Sequence, residues 1–314
     1  MKKIKFGLRV PSFPVDGSSG KIFIDQISVF ISDVEGFFDS AWIDDHFVPW
    51  AESVPRSTPN LECFTTISFL SGVFRKLEFG TLVLCVSYRH PSIVAKMGAT
   101  LHSLTGGRFI LGLGAGWKQD EYLSFGFEFP PPKVRIKQLE EAAQIIRRLW
   151  TEDVVSFRGD YYHLEEAVCS PKPVPPPPIM IGGGGEKLTL RVVARNADWW
   201  NIPNASIETY RHKSGVLERY CLECGRDPSS IVKTLASIVA IRPDENDALV
   251  LASKCPLINM DYRDNYIIGD VSKIIERIDR YVGLGVQHFI LRFIDFPGTE
   301  GARLFAEEVM PSFS

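Results

Sequence analysis

The chain has 314 residues, of which 45% are hydrophobic and 23% are charged. Lysine and arginine together number 35 and aspartate and glutamate 38, so the formal net charge is −3. This balance is ordinary for a globular protein, and it argues against a disordered chain, a collagen-like repeat and a strongly basic nucleic-acid-binding protein.

The amino terminus does not resemble a secretion signal, because Lys5 and Arg9 interrupt the apolar stretch that follows the first basic residues. A signal peptide needs about 7–15 apolar residues at that point. No window supplies the roughly 18 apolar residues of a membrane span, and six cysteines are too few for a disulfide framework. We therefore expect a cytoplasmic protein. We expect no metal site, since the Cys221-x-x-Cys224 pair has no second Cys or His pair at a zinc-site spacing.

Short apolar runs alternate along the chain with segments that have the hydrophobic period of a helix. Several runs lack a two-residue alternation, as is typical of strands that are buried on both faces. Eight strands are predicted, at Ile4–Val10, Ser40–Ile43, Leu77–Leu84, Arg108–Leu113, Ile179–Ile181, Asp198–Ile202, Thr234–Ala240 and Phe289–Phe293.

The helical segments between these strands are clearer. One helix begins at Pro91, a second apolar stripe runs from Leu139 to Trp150, and a third runs from Val271 to Val282 behind the N-cap candidate Asp270. Eight strands that alternate with helices predict an α/β fold of the (β/α)8 TIM-barrel type, formed by a single domain over residues 1–314. A doubly wound open sheet is the alternative.

Four segments interrupt the alternation of strands and helices. The 117–132 segment is aromatic and proline-terminated, and Val154–Leu164 has the pattern of a hairpin. Pro171–Pro178 holds six prolines and predicts an extended connector, and Arg242–Ile268 has no clear pattern. We expect these insertions to lie over the C-terminal mouth of the barrel.

In such a barrel, functional side chains follow the ends of strands. His46 follows the second strand, where an imidazole can exchange protons with a ligand near neutral pH. Asp45 either orients His46 or pairs elsewhere, and Trp50 offers a flat apolar wall. The alternative is a solvated loop that contains a packed tryptophan.

Two glycine-rich segments follow later strands. Gly112–Gly116 does not match the dinucleotide fingerprint, because Trp117 occupies the position of its third glycine, but Gly114 permits a close approach of a ligand to the backbone. Gly182–Gly185 precedes a predicted helix that starts at Glu186, an arrangement that favours anion binding by backbone N–H groups. A merely flexible loop is the alternative there.

Three further charged residues are candidates at the mouth of the barrel. Arg89 follows the third predicted strand, and Arg292 lies near the end of the eighth. We expect each to contact either an acidic group of a ligand or an acidic protein side chain in an ion pair. Glu121 is a candidate general acid or base, and the alternative is a solvated carboxylate on a loop.

Several motifs together form a pattern that is specific to one superfamily. They are Glu35–Trp42, Asp45–Trp50, Phe79–Val83, Arg89–Pro91, Gly107–Trp117, Gly159–Tyr162 and Ile181–Gly184. With them the chain resembles the bacterial-luciferase-like superfamily from about Phe6 to Val309. The run Asp-His-Phe-x-Pro-Trp at 45–50 favours the branch that uses the deazaflavin coenzyme F420 over those that use FMN.

The resemblance implies a barrel whose mouth holds the tricyclic ring of F420, with a cis peptide bond at Leu82–Val83 behind the ring. It implies that His46 lies by the reactive carbon, that Trp50 borders the substrate space, and that glycine N–H groups bind the coenzyme phosphate. The expected catalytic residues are His46, Trp50 and Glu121, and the expected coenzyme contacts are Asp45, His46, Leu82, Val83, Gly114, Gly182, Gly183 and Gly184.

One departure from the family pattern affects the expected substrate. Sugar-phosphate and alcohol dehydrogenases of this branch have a glutamate directly after the Gly-x-Gly-x-Gly segment, where this chain has Trp117, and no basic sugar-phosphate clamp is matched. An imine, enone or pterin-type reductase is therefore as well supported as an alcohol dehydrogenase.

These observations predict an F420-dependent oxidoreductase that transfers a hydride between C5 of the deazaflavin and a small organic substrate. The family resemblance implies a homodimer, and neither a nucleic acid nor a membrane is expected as a partner. An FMN-dependent luciferase-like monooxygenase and a non-catalytic flavin-binding barrel are the alternatives.

Overall fold

The computed structural model describes residues 3–313. Parallel pairing dominates the strands, and within the described range one pair is antiparallel. In chain order the strands are β1 (Lys5–Arg9), β2 (Ser40–Ile43), β3 (Glu78–Thr81), β4 (Leu84–Cys85), β5 (Phe109–Gly114), β6 (Val155–Arg158), β7 (His163–Ala167), β8 (Ile179–Gly182), β9 (Trp199–Pro203), β10 (Val232–Ile241), β11 (Ile267–Gly269) and β12 (Val286–Phe293).

Eight of these strands close into a parallel barrel. Their order around the ring is β1, β2, β3, β5, β8, β9, β10 and β12, and β12 pairs with β1. The pairing of β9 with β10 completes the ring, with Val232 opposite Trp199 and Ala236 opposite Pro203. The predicted TIM barrel is confirmed, and this closure excludes an open sheet.

The helices pack around the outside of the barrel. In chain order they are α1 (Gly20–Val34), α2 (Cys63–Val73), α3 (Pro91–Thr105), α4 (Gln119–Ser124), α5 (Pro132–Thr151), α6 (Thr189–Asn196), α7 (Ile207–Glu223), α8 (Glu245–Lys254), α9 (Val271–Val282) and α10 (Glu300–Leu304). Short 3-10 helices lie at Pro228–Ser230, Met260–Asn265 and Met310–Phe313, and a π-helical turn lies at Phe305–Val309. None of the helices within residues 3–313 has the length and hydrophobicity needed to span a bilayer.

Local chemistry explains where the predicted helices begin and end. Asp270 caps α9 by accepting a hydrogen bond of 2.9 Å from the backbone N–H of Lys273. Pro91 starts α3, and Gly106 ends it in the left-handed region at φ = 65°. The predicted hairpin is confirmed as the antiparallel pair β6 and β7.

Two segments that we expected to be irregular contain helices. Helix α8 lies in the 242–268 segment, but its only buried side chains are Ala248 and Ala252, so it has no apolar stripe to recognise. Helix α4 lies in the 117–132 segment and buries only Glu121 and Tyr122. The predicted third strand is also interrupted, because Leu82 and Val83 separate β3 from β4.

The inside of the barrel is filled by side chains below the level of the mouth. Trp42, Ile110, Met180, Ala236 and Ile290 form this inner core. The indole N–H of Trp42 donates to the Ser40 hydroxyl at 2.7 Å, and the same hydroxyl lies 2.8 Å from Nε2 of the buried His288. A ligand can therefore enter only near the carboxyl ends of the strands.

Gly80 provides the space that the Trp42 indole occupies. A Cβ atom at Gly80 would overlap the six-membered ring of Trp42. We expect Gly80→Ala to lower the free energy of unfolding by about 1–3 kcal/mol, as overpacking of a filled core does. Urea denaturation monitored by circular dichroism measures this loss.

Gly72 is the matched control for this substitution. It lies in α2, and a Cβ atom there has no neighbour within 4 Å. Gly72→Ala should leave stability unchanged or raise it by about 0.5–1 kcal/mol. Equal effects of the two substitutions would show that Trp42 does not limit the space at Gly80.

Candidate active site

A cavity of about 510 Å³ opens where several strands of the barrel end. Its walls include Arg9 at the end of β1, Gly114 at the end of β5 and Gly182 at the end of β8. All residues named from the sequence as catalytic or coenzyme-binding line this one cavity: Asp45, His46, Trp50, Leu82, Val83, Gly114, Glu121, Gly182, Gly183 and Gly184.

His46 is held by a buried carboxylate. Its Nδ1 atom lies 2.9 Å from Oε2 of Glu121, and the same oxygen accepts a 2.8 Å hydrogen bond from the hydroxyl of Tyr88. The other carboxylate oxygen, Oε1, accepts from the backbone N–H groups of Phe47 at 2.6 Å and Val48 at 3.2 Å. Glu121 thus fixes both the imidazole and the backbone that follows it.

The environment of Glu121 favours its ionised form. Burial opposes ionisation, but the hydrogen bonds from His46, Tyr88 and the Val48 N–H outweigh it and hold the pKa of Glu121 below its usual value. Because an ionised carboxylate only accepts hydrogen bonds, Nδ1 of His46 is the donor in this contact, and Nε2 is the ring nitrogen left for a ligand. Glu121 is fully buried, so the alternative of a solvated loop carboxylate is wrong.

Asp45 does not orient His46. Both of its oxygens accept from the guanidinium of Arg89 at 2.9 Å, and Oδ2 also accepts from the backbone N–H of Cys85 at 2.9 Å. Arg89 donates in addition to Glu62 at 2.6 Å, so of its two expected roles the ion pair is observed. The Asp45–Arg89 pair ties the segment that carries His46 to the segment after β4.

Arg9 and Asp44 support the Trp50 side of the cavity, and neither was predicted from the sequence as a site residue. Asp44 accepts two hydrogen bonds from Arg9, at 2.9 and 3.1 Å, and a third from the indole N–H of Trp50 at 3.1 Å. The Arg9 guanidinium lies 5.0 Å from the centre of the Trp50 ring. A charged residue at the end of the first strand is the sequence signal that could have identified Arg9.

Gly182–Gly185 lie at another wall of the cavity. The backbone N–H groups that are free in this segment are not all the ones expected to bind a phosphate. The N–H of Gly183 donates to the carbonyl of Asn201 at 2.9 Å, so it is not available to a phosphate. Within residues 3–313, the N–H groups of Gly184 and Gly185 have no such acceptor. Helix α6 also begins at Thr189, three residues later than expected.

The floor of the cavity is apolar and tightly packed. The peptide bond between Leu82 and Val83 is cis, as the resemblance implies. A Cβ atom at Gly114 would lie 2.6 Å from Cγ2 of Val83, and one at Gly182 would lie 3.0 Å from the same side chain. The Val83 side chain thus leaves no room for a Cβ atom at Gly114, and a Cβ atom at Gly182 would force this side chain to shift.

Trp117 stands at the rim of the cavity with 60% of its surface exposed. Its ring lies edge-on to His46, with 5.7 Å between the ring centres. Two cations near it are already paired: Lys118 contacts Asp120 at 3.1 Å, and Arg135 donates to the carbonyl groups of the 115–116 segment and of Pro130. Among residues 3–313, no cluster of His, Cys, Asp or Glu is arranged to hold a metal ion.

Comparison with known proteins agrees with this fold. Residues 35–261 match the family model described as luciferase-like monooxygenase. An F420-dependent glucose-6-phosphate dehydrogenase of Amycolatopsis mediterranei is 35% identical over 162 residues, which cover 51% of this chain and 48% of that protein. One of Microbacterium testaceum is 28% identical over 307 residues, which cover 87% of this chain and 88% of that protein.

A solved structure resembles the whole barrel. It is an F420-dependent secondary alcohol dehydrogenase in complex with an F420-acetone adduct, with a TM-score of 0.85 and 25% sequence identity. The match covers 99% of both chains.

The network around Glu121 predicts how stability depends on pH. Glu121→Gln removes the negative charge and places the amide NH2 group of glutamine among groups that themselves donate hydrogen bonds. We therefore expect it to lower the free energy of unfolding by about 1–3 kcal/mol at pH 7. The depressed pKa of Glu121 means that its contribution is complete above the usual value of 4.5 and is lost as the pH falls through the folded-state value. The difference between the two proteins should therefore shrink in acid.

Urea denaturation at pH 7 and at successively lower pH values measures this difference. Glu52→Gln is the control, because Glu52 is exposed and should change stability little at any pH. A Glu121→Gln protein as stable as the wild type at pH 7 would contradict the stabilising role of the network.

Proposed function

This chain belongs to the luciferase-like monooxygenase family, and we propose that it is an F420-dependent oxidoreductase that transfers a hydride between C5 of the deazaflavin and a small organic substrate. The observation that carries the proposal is the placement of His46. Its imidazole lines the cavity at the strand ends and is held through Nδ1 by the ionised Glu121. Action as a homodimer stays a prediction.

The residues of the cavity fit a flat ring with an anionic tail. Val83 and the glycine Gly114 provide an apolar surface at the floor, and the N–H groups of Gly184 and Gly185 are free to bind a phosphate. The F420-dependent relatives and the F420-dependent structural neighbour support this coenzyme. When bound, a 5-deazaflavin supplies or accepts a hydride at C5.

The chain's own contribution is orientation and proton transfer. Nε2 of His46 can give a proton to a substrate oxygen or nitrogen, or remove one, while Glu121 stabilises the imidazolium form through Nδ1. Tyr88 and the Phe47 N–H keep Glu121 in place, so the imidazole needs little reorganisation. The Trp50 and Trp117 rings border the remaining space.

The coenzyme preference is tested by titration. We expect quenching of F420 fluorescence to report micromolar binding to the purified protein, and FMN to bind at least tenfold more weakly. Tight binding of FMN with consumption of oxygen by the reduced protein would favour the FMN-dependent monooxygenase instead. Binding of either ring without turnover of any acceptor would favour a non-catalytic flavin-binding barrel.

Replacing the proposed proton-transfer group separates chemistry from binding. His46→Ala should reduce the turnover rate by about 10²–10⁴-fold, the usual contribution of a general acid or base, while F420 affinity changes little. Stopped-flow absorbance of the deazaflavin and fluorescence titration measure the two quantities.

His163→Ala is the matched control, because His163 is exposed on β7, a strand of the separate hairpin. It should leave both the turnover rate and the F420 affinity unchanged. Unchanged turnover in His46→Ala would remove this imidazole from the chemistry.

A further inference from the structure

Arg292 is a buried cation without a hydrogen-bonding partner. It is the residue before the last of β12, and only 3% of its surface is exposed. No hydrogen bond or ion pair joins its guanidinium to any residue of the 3–313 range, and its NH1 atom is fully enclosed. Of the two roles expected for Arg292, the ion pair is therefore not observed.

Aromatic rings surround the guanidinium. It lies 5.0 Å from the ring centre of Phe13 and 6.0 Å from that of Trp50. These contacts attract a cation, but they do not satisfy its N–H groups. The Ser12 hydroxyl, next to Phe13 in the chain, is likewise fully buried and without a partner. A buried guanidinium is unfavourable unless its donors are satisfied, so this arrangement points to a group that binds from outside the chain.

The position of Arg292 connects it with the active-site cavity. Leu291 pairs with Leu8, so Arg292 is next to Arg9 across the pairing of β12 and β1. Arg9 and Trp50 line the cavity, and Trp50 packs on the guanidinium of Arg292. Arg292 thus lies behind the Trp50 side of the cavity wall, and access of a ligand from the cavity requires the Trp50 indole to move.

The charges around Arg292 leave an excess of one positive charge. Arg9 is neutralised by Asp44, and no further acid approaches Arg292 within hydrogen-bonding distance in the 3–313 range. Burial and the neighbouring Arg9 lower the pKa of Arg292 to about 10, so the side chain is still a cation at pH 7.

We propose that Arg292 binds a carboxylate of the substrate, so that this enzyme acts on small organic acids; this inference rests on the proposed function. A carboxylate matches the planar guanidinium fork with two parallel hydrogen bonds, and its single negative charge balances the single excess positive charge. A phosphate dianion would leave one negative charge unbalanced among aromatic rings.

The test measures the binding of two probes of the same shape, one with a carboxylate and one with a neutral amide. Benzoate and its neutral isostere benzamide are titrated into the full-length protein, with and without saturating F420, by calorimetry at pH 7.5. We expect benzoate to bind at least about tenfold more tightly, since a charge-assisted bidentate contact exceeds a neutral one by that factor or more. Inorganic phosphate is the third probe and should bind more weakly than benzoate.

Substitutions assign the charge preference to Arg292. Arg292→Met should abolish the preference for benzoate, while the melting temperature stays unchanged or rises, because an unpartnered buried charge is replaced by an apolar chain. Arg292→Lys should retain part of the preference, because it keeps the charge without the fork. Arg303→Gln is the control, since Arg303 is an exposed arginine that contacts Asp33, and it should bind benzoate as the wild type does.

Several outcomes would overturn the proposal. Equal binding of benzoate and benzamide by the wild type would do so whether or not the variants fold. Full retention of the benzoate preference in Arg292→Met would also do so, as would phosphate binding that exceeds benzoate binding and depends on Arg292. The F420 titration is independent: its failure, with the benzoate preference intact, would reject the proposed function and leave an acid-binding site.

Discussion

Glu121 is a carboxylate without solvent exposure, and such a group is stable in its ionised form only when its oxygens accept enough hydrogen bonds. Four donors meet this need: the imidazole of His46, the hydroxyl of Tyr88 and the backbone N–H groups of Phe47 and Val48. These donors come from the segments after β2 and β4, while Glu121 comes from α4. The need to satisfy one buried charge therefore assembles three separate segments, and the position of His46 follows from it.

The closed barrel makes this assembly possible because it brings distant strand ends to one rim. Trp42 and its neighbours fill the interior, so the rim has a solid floor, and the glycine positions at strand ends leave room for Val83 to form part of that floor. Polar groups are then confined to the sides of the cavity. This division suits a ligand that is flat and apolar in the middle and charged at its edge.

Periodicity and strand-end position predicted the barrel and the residues of its rim, because both depend on local spacing that a closed parallel ring preserves. The ion-pair and hydrogen-bond partners of these residues could not be predicted in the same way. Arg89 has the same sequence signals whether it meets a ligand or Asp45, and the choice depends on a contact 44 residues away. Similarly, only the register of β8 and β9 reveals that the carbonyl of Asn201 accepts a hydrogen bond from the Gly183 N–H. Helix α8 was missed because alanines bury too little surface to mark a face.

The glucose-6-phosphate dehydrogenases among the relatives act on a sugar phosphate by name, whereas the proposed contact with Arg292 favours a different acid. Arg9 and Lys118 each contact a carboxylate, and Arg135 donates to backbone carbonyl groups, so the N–H groups of all three already have acceptors. The guanidinium of Arg292 has no such acceptor within residues 3–313 and lies beside the rings of Phe13 and Trp50. Trp117 adds an apolar edge beside His46. If Arg292 binds the substrate as proposed, its aromatic surroundings favour a monoanion whose remaining surface is apolar, because each further negative charge would have to be buried there without a partner.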